Sequence, residues 1–123
     1  MAKVIGLGGI FFKSRDPAGL AAWYAEHLGL PVEKWGGARF NESESRDAYA
    51  AWAPFAADTS YFGPGTQHYM VNYRVDDLDA LLAQLRAAGV AVDERVEESE
   101  FGRFGWIMDP EGTRIELWQP SAT

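Results

Sequence analysis

The chain predicts an α+β fold made of two β-α-β-β-β modules, and three observations point there. Two helices carry matching start and stop signals. A strand-like run leads into each helix, and room for three short strands follows it. The two halves also close alike, on AAWAP at 50–54 and ELWQP at 116–120. An internal repeat of this kind outranks local propensity in assigning architecture.

The first helix is entered at Asp16-Pro17, an N-cap followed by a first-turn proline. Leu20, Trp23, Tyr24 and Leu28 then recur at helical spacing, and Gly29 stands where the helix should stop. Asp77 caps a second helix with the stripe Leu78, Leu81, Leu82 and Leu85, stopped by Gly89. The runs GGIFFKSRD (8–16) and YMVNYRVDD (69–77) read as the strands that feed these caps. Further strands are expected at 31–36, 38–43 and 48–53 in the first half, and at 91–97, 102–108 and 113–119 in the second. FGRFGW, 101–106, reads either as a Gly-loosened loop over a cleft mouth or as an edge strand. The modules, about 4–54 and 67–120, form one domain joined by a loop at 55–66. The stretch FAADTSYFGPGTQ (55–67) has no periodicity and many turn residues, which makes it a linker and a candidate lid.

Length and composition bound the function. At 123 residues the chain can bury one ordinary core, and 47% apolar residues exclude a disordered chain. Its net charge is −7 with no Lys/Arg run, so phosphate backbones and anionic membranes are repelled. Neither nucleic acid nor membrane is an expected partner. The absence of cysteine removes disulfides, thiolate catalysis and Cys-based zinc sites, and fits a cytoplasmic protein. The opening MAKVIGLGGIFFKSRD has a short apolar run but no small-x-small cleavage site, and reads as a buried first strand rather than a signal peptide.

Strand alternation sorts the second half into faces. Tyr69, Val71, Tyr73 and Val75 form an apolar set suited to lie under a helix, whereas His68, Met70, Asn72 and Arg74 face the other way. In TRIELWQ, Thr113, Ile115 and Leu117 go with the helix layer, and Arg114, Glu116 and Trp118 oppose them. An amphipathic strand facing water gives the same pattern. Trp118 speaks against that reading, since a large aromatic is seldom left on an open face.

The paired repeat, WYAEHLGL closing the first helix, VDDLDALLAQLRAAGV opening the second, and the final DPEGTRIELWQP together resemble the vicinal-oxygen-chelate superfamily. That group includes glyoxalase I, extradiol dioxygenases, fosfomycin-resistance enzymes and bleomycin-resistance binding proteins. The likeness covers about residues 4 to 120. It implies a cupped eight-stranded mixed sheet with helices outside and a cleft inside, and commonly a homodimer. It also implies four metal-ligand positions, one in the first and one in the last strand of each module. Here those positions hold Gly9, Met70, Ala50 and Glu116. One carboxylate does not hold a catalytic ion, which needs about three protein ligands. His68 raises the count only to two, and His27 lies on the first helix, toward solvent. No metal and no other cofactor is therefore expected.

Three readings follow. The first is a metal-independent small-molecule binder, with Phe11, Trp52, Met70 and Trp118 offering apolar contact and His68, Asn72, Arg74, Arg114 and Glu116 orienting polar groups. The second is a lyase, isomerase or dioxygenase using Glu116 as a general base or an atypical metal site. The third is a scaffold with a vestigial cleft. Of these the binder is preferred, with Glu116 pointing into the cleft and ion-paired to Arg74 or Arg114, an arrangement better suited to anchoring than to proton transfer.

Overall fold

The computed structural model describes residues 10, 12–40 and 49–121. The chain divides into two compact units, Met1–Ala56 and Ala57–Thr123.

In the first unit, helix α1 spans Pro17–Leu28. Asp16 caps it, its Oδ1 accepting from the Gly19 N–H at 3.1 Å, and Pro17 fills the first turn. Gly29 ends the helix in the left-handed region, at φ 69°. Leu20 and Tyr24 are the buried members of the predicted stripe. Trp23 is only half-buried, and its ring meets Tyr24 edge-on and His27 at a tilt, both with centroids 5.1 Å apart. His27 is thus packed beside Trp23, with 20% side-chain exposure, rather than turned to solvent as expected.

The strands expected in this half are found only in part. Residues 12–16 of the 8–16 run form no strand, and neither do 49–53. Between 31 and 40 a single bridge joins Val32 to Ala38 around a turn closed by Glu33 and Gly37, with Gly36 at φ 99°. The turn takes up half of these ten residues and interrupts pairing within them. Ala-rich 48–53 has weak strand propensity of its own. Residues 41–48 and Gly9, which the expectations also used, lie outside the described residues.

The second unit has the predicted β-α-β-β-β order: β1 Asn72–Arg74, α2 Leu78–Ala87, β2 Glu97–Ser99, β3 Gly102–Met108 and β4 Arg114–Pro120. They form a mixed four-stranded sheet in the order β1-β4-β3-β2, with β1 parallel to β4 and the other pairs antiparallel. Segment 101–106 is therefore neither a loop nor an edge. From Gly102 onward it is interior strand, hydrogen-bonded on both sides. The run expected as a strand at 91–97 reaches the sheet only through a Val92–Ile107 bridge and the start of β2.

Helix α2 is capped by Asp77, whose Oδ1 accepts from the Ala80 N–H at 3.1 Å. The Gln119 side chain reaches up from β4 to accept the otherwise orphaned N–H of Leu78. Leu78, Leu82 and Leu85 are buried and lie on the sheet face that carries Ile115 and Leu117. Gly105, opposite Leu117, makes that contact possible. A Cβ there would sit 3.2 Å from Leu82 Cδ1 and 3.5 Å from Leu78 Cδ1, so even alanine would require Leu82 to give by a few tenths of an ångström. Between β3 and β4, buried Asp109 accepts the N–H groups of Glu111 and Thr113 at 2.9 and 3.0 Å. This closes the DPEGT turn and fixes the hairpin register.

Candidate functional site

Along β4 the residues at 115–118 are all buried, so both faces of the strand are covered. Alternation gives Ile115 and Leu117 to the helix. Glu116 and Trp118 therefore occupy a second covered face, and Glu116 is only 7% exposed. Register places Asn72, Glu116 and Trp106 in one row across β1, β4 and β3, with Arg74, Trp118 and Phe104 in the next. A buried carboxylate must be satisfied by donors. Here Glu116 Oε1 accepts the Tyr61 hydroxyl at 2.6 Å and Oε2 accepts the Asn72 amide at 3.0 Å.

The expected arginine partner is thus replaced by two neutral donors. Arg114 turns elsewhere: its Nη1 donates to Asp93 at 3.2 Å and its Nε to the Tyr61 carbonyl at 3.3 Å. Neighbours two apart on a strand stand about 7 Å apart, so sharing a face does not by itself bring Arg114 onto Glu116. Arg74 lies opposite Trp118, one row beyond the carboxylate, and its side chain is exposed.

Segment 57–67, although irregular, lies over this face. Gln67 imitates a strand beside β4, accepting the Arg114 N–H at 2.8 Å and donating to the Arg114 carbonyl at 3.0 Å. Gly63, at φ 88°, lies so near that a Cβ there would be 2.7 Å from Arg114 Cδ. A cavity of about 440 Å³ opens beside it, lined by Ser60, Gly63, Pro64, Asp93, Arg95 and Arg114.

Trp106 is the aromatic centre of the arrangement and is fully buried. The Tyr61 ring meets it edge-on at 5.7 Å, and the guanidinium groups of Arg95 and Arg114 lie 5.0 and 5.3 Å from its centroid. Its indole N–H has no acceptor among the described residues, a deficit that typically costs about 1–3 kcal/mol. Trp118 stacks parallel to Phe104 at 6.0 Å and donates its indole N–H to the Phe101 carbonyl at 2.8 Å.

The site's electrostatics follow from burial. Desolvation, reinforced by the hydrogen bond to Glu116, pushes the Tyr61 phenol well above the ordinary tyrosine value. The Arg95 backbone N–H, with the Arg114 guanidinium, holds the Asp93 carboxyl below the usual range against a smaller effect of burial. Because the folded pKa of Tyr61 is raised, its stabilising contribution is fully present below pH 10 and is lost as pH rises past that value. Melting temperature should therefore fall more steeply above pH 10 in the native chain than in Tyr61→Phe, as read by circular dichroism.

Of the residues singled out from sequence, the structure brings Asn72, Arg114, Glu116 and Trp118 to one face of the second unit's sheet, with Glu116 and Trp118 buried, Arg114 half-buried and Asn72 exposed. Met70 is half-buried just before β1, and His68 is exposed on the same approach. Trp52 belongs to the first unit and is 82% exposed. Phe11 lies outside the described residues. Among the described residues, no three His, Asp or Glu converge as a metal would require. Sequence reasoning missed Tyr61, Asp93, Arg95 and Trp106. Folding β3 back on β4 through the DPEGT turn would have set Trp106 opposite Glu116. Tyr61 gave no signal beyond being an aromatic in a turn-rich stretch.

Three solved structures illustrate the likeness to known proteins. A glyoxylase/bleomycin resistance protein/dioxygenase domain from Frankia sp. EAN1pec matches over 97% of this chain and 100% of its own, at 15% identity and a TM-score of 0.58, which is a likeness of fold. TnmS3, an antibiotic binding protein from Streptomyces sp. CB03234, matches at 28% identity over 83% of this chain and 84% of its own, with a TM-score of 0.49. A glyoxalase/bleomycin resistance protein from the same Streptomyces is 41% identical, but over only 40% of this chain and 42% of its own, with a TM-score of 0.37. Comparison with curated proteins gave no match. The glyoxalase-like domain family matches residues 9–118, nearly the whole chain and all but the last two residues of the β-α-β-β-β unit described above. The chain belongs to the glyoxalase-like domain family, within the vicinal-oxygen-chelate superfamily.

Proposed function

We propose that the protein is a metal-independent binder of a small molecule, held on the covered polar face of the β1-β4-β3 sheet. The observation that carries this reading is the buried Glu116 carboxylate, set among Tyr61, Asn72 and Trp106 beside a cavity of about 440 Å³. Burying a charge in this way is expensive unless it serves fold or ligand, and the cavity's wall, with Ser60, Asp93, Arg95 and Arg114 beside Gly63 and Pro64, offers polar groups that can orient a ligand. Asn72, Arg114, Glu116 and Trp118 form the binding set, joined by Tyr61 and Trp106. His68, Met70 and Arg74 belong to its rim, and Phe11 and Trp52 are the contributions proposed from the first module. Glu116 as general base, the alternative drawn from sequence, gains nothing from a geometry in which both oxygens are already engaged.

A thermal-shift and tryptophan-fluorescence screen of planar organic compounds, run with and without EDTA, tests the reading. Ligands should bind equally in both conditions, and purified protein should carry no stoichiometric Zn, Ni, Fe or Mn. Binding that vanishes with chelation, or a full equivalent of metal surviving dialysis, defeats metal independence. A screen with no binders defeats the reading itself.

A cytoplasmic homodimer of two-module chains completes the proposal, with modules at about 4–54 and 67–120 contributing to an eight-stranded cup. Exposed Phe12, Trp35, Phe40, Trp52 and Phe55 in the first unit support it, since exposed aromatics in such number favour a covering partner. Light scattering at micromolar concentration should give twice the chain mass of 13.6 kDa. A value near one chain mass refutes the dimer.

A further inference from the structure

We infer that Glu116 is the recognition point for a weakly acidic aromatic or enolic hydroxyl on the ligand, and that Tyr61 holds this place in the free protein. The inference rests on the binder reading and gives its ligand a chemistry. The carboxylate already binds such a group: a phenol, at 2.6 Å, in the short charge-assisted range. Asn72 fixes the other oxygen, so Oε1 is oriented toward one donor.

Tyr61 comes from a segment with no helix or strand of its own, and the cavity bounded by Ser60, Gly63 and Pro64 of that segment lies beside it. That space lets the phenol withdraw while an incoming hydroxyl takes over its acceptor. The exchange conserves hydrogen bonds to Glu116, so a better donor than tyrosine displaces it at little enthalpic loss.

An ammonium group would also suit a carboxylate, but the surroundings disfavour it. Arg95 and Arg114 hold their guanidinium groups 5.0 and 5.3 Å from the centroid of the indole that Tyr61 leans on at 5.7 Å. Their charges are offset, since Arg114 pairs with Asp93 at 3.2 Å and Arg95 with Glu97 at 3.5 Å, so what disfavours a cation is that the Trp106 ring it would stack on already carries both guanidinium groups. A neutral planar ring carrying an acidic hydroxyl meets an aromatic edge and two cations that favour its electron-rich faces.

The test uses the full chain labelled with ¹⁵N at tryptophan, titrated with 2-naphthol, its methyl ether 2-methoxynaphthalene, and 2-naphthylmethylamine. In the native chain 2-naphthol should bind in preference to both others and move the Trp106 indole signal. Glu116→Gln should erase that preference. Tyr61→Phe, which keeps the ring and removes the competing hydroxyl, should strengthen 2-naphthol binding about tenfold and leave the ether unchanged. Equal binding of 2-naphthol and ether by the native chain, preference for the amine, weaker 2-naphthol binding by Tyr61→Phe, or no binding of 2-naphthol overturns the inference. The binder reading falls separately, only if the wider screen is empty. The native-chain comparison needs no variant to fold.

Discussion

Glu116→Ala is expected to lower stability by about 3 kcal/mol, from the loss of two part-buried hydrogen bonds to a charged acceptor less the relief of a desolvated charge. The donors are the Tyr61 hydroxyl and the Asn72 amide. In a chain of this size that corresponds to a fall in melting temperature of roughly 10 °C. Glu116→Gln should cost much less. Its carbonyl oxygen can still accept from Tyr61, and Asn72 can rotate its amide to present an oxygen to the new NH₂ group. Thermal denaturation of the two variants beside the native chain decides the matter. If alanine and glutamine behave alike, the carboxylate is not organising its neighbours.

Gly102→Ala should be at least as damaging, for a different reason. Gly102 opens β3 at φ 127°, a conformation that side chains rarely adopt, and strain there is worth about 1–3 kcal/mol. A Cβ would also fall on the Gln119 carbonyl oxygen and lie 2.8 Å from the Ser121 nitrogen, both backbone atoms that cannot swing aside. Together these should exceed about 3 kcal/mol and open the end of the β3–β4 ladder, next to the Phe101 carbonyl that receives the Trp118 indole N–H. Gly112→Ala is the control. It shares a positive φ, 82°, but its Cβ would meet nothing within 4 Å, so only the conformational penalty of about 1 kcal/mol remains. Urea denaturation should rank the two variants in that order, and equal losses would show that crowding at Gly102 is relieved.

The contrast between these residues shows what the sequence made legible. The caps at Asp16 and Asp77, the leucine stripe of α2 and the hairpin around DPEGT depend on contacts within a few residues, and local signals suffice to read them. The face of Glu116 was equally readable, because alternation along β4 follows from strand geometry alone. Its partner was not. Tyr61 lies 55 positions away in a stretch without periodicity, and nothing local links a turn-rich segment to a particular strand. In the first half the described part of the candidate strands holds one bridge, Val32 to Ala38, because the Glu33–Gly37 turn interrupts pairing there. Arg114 is the instructive error. A same-strand neighbour is the natural counter-ion on sequence grounds, yet its guanidinium reaches sideways to Asp93, which arrives from a different part of the chain.

The placement of β4 has a consequence for how the protein is made. The last strand of the sequence sits in the interior of the sheet, between β1 and β3, and joins the unit's opening strand to its hairpin. During synthesis β1 and α2 both emerge well before β4, the strand that pairs with the first and packs under the second. The nascent unit therefore has no hydrogen-bonded neighbour for β1, and no apolar floor of Ile115 and Leu117 for α2, until β4 leaves the ribosome. This unit therefore closes only once β4 is free to pair, and its leucine face stays open to chaperones for as long as β4 is confined.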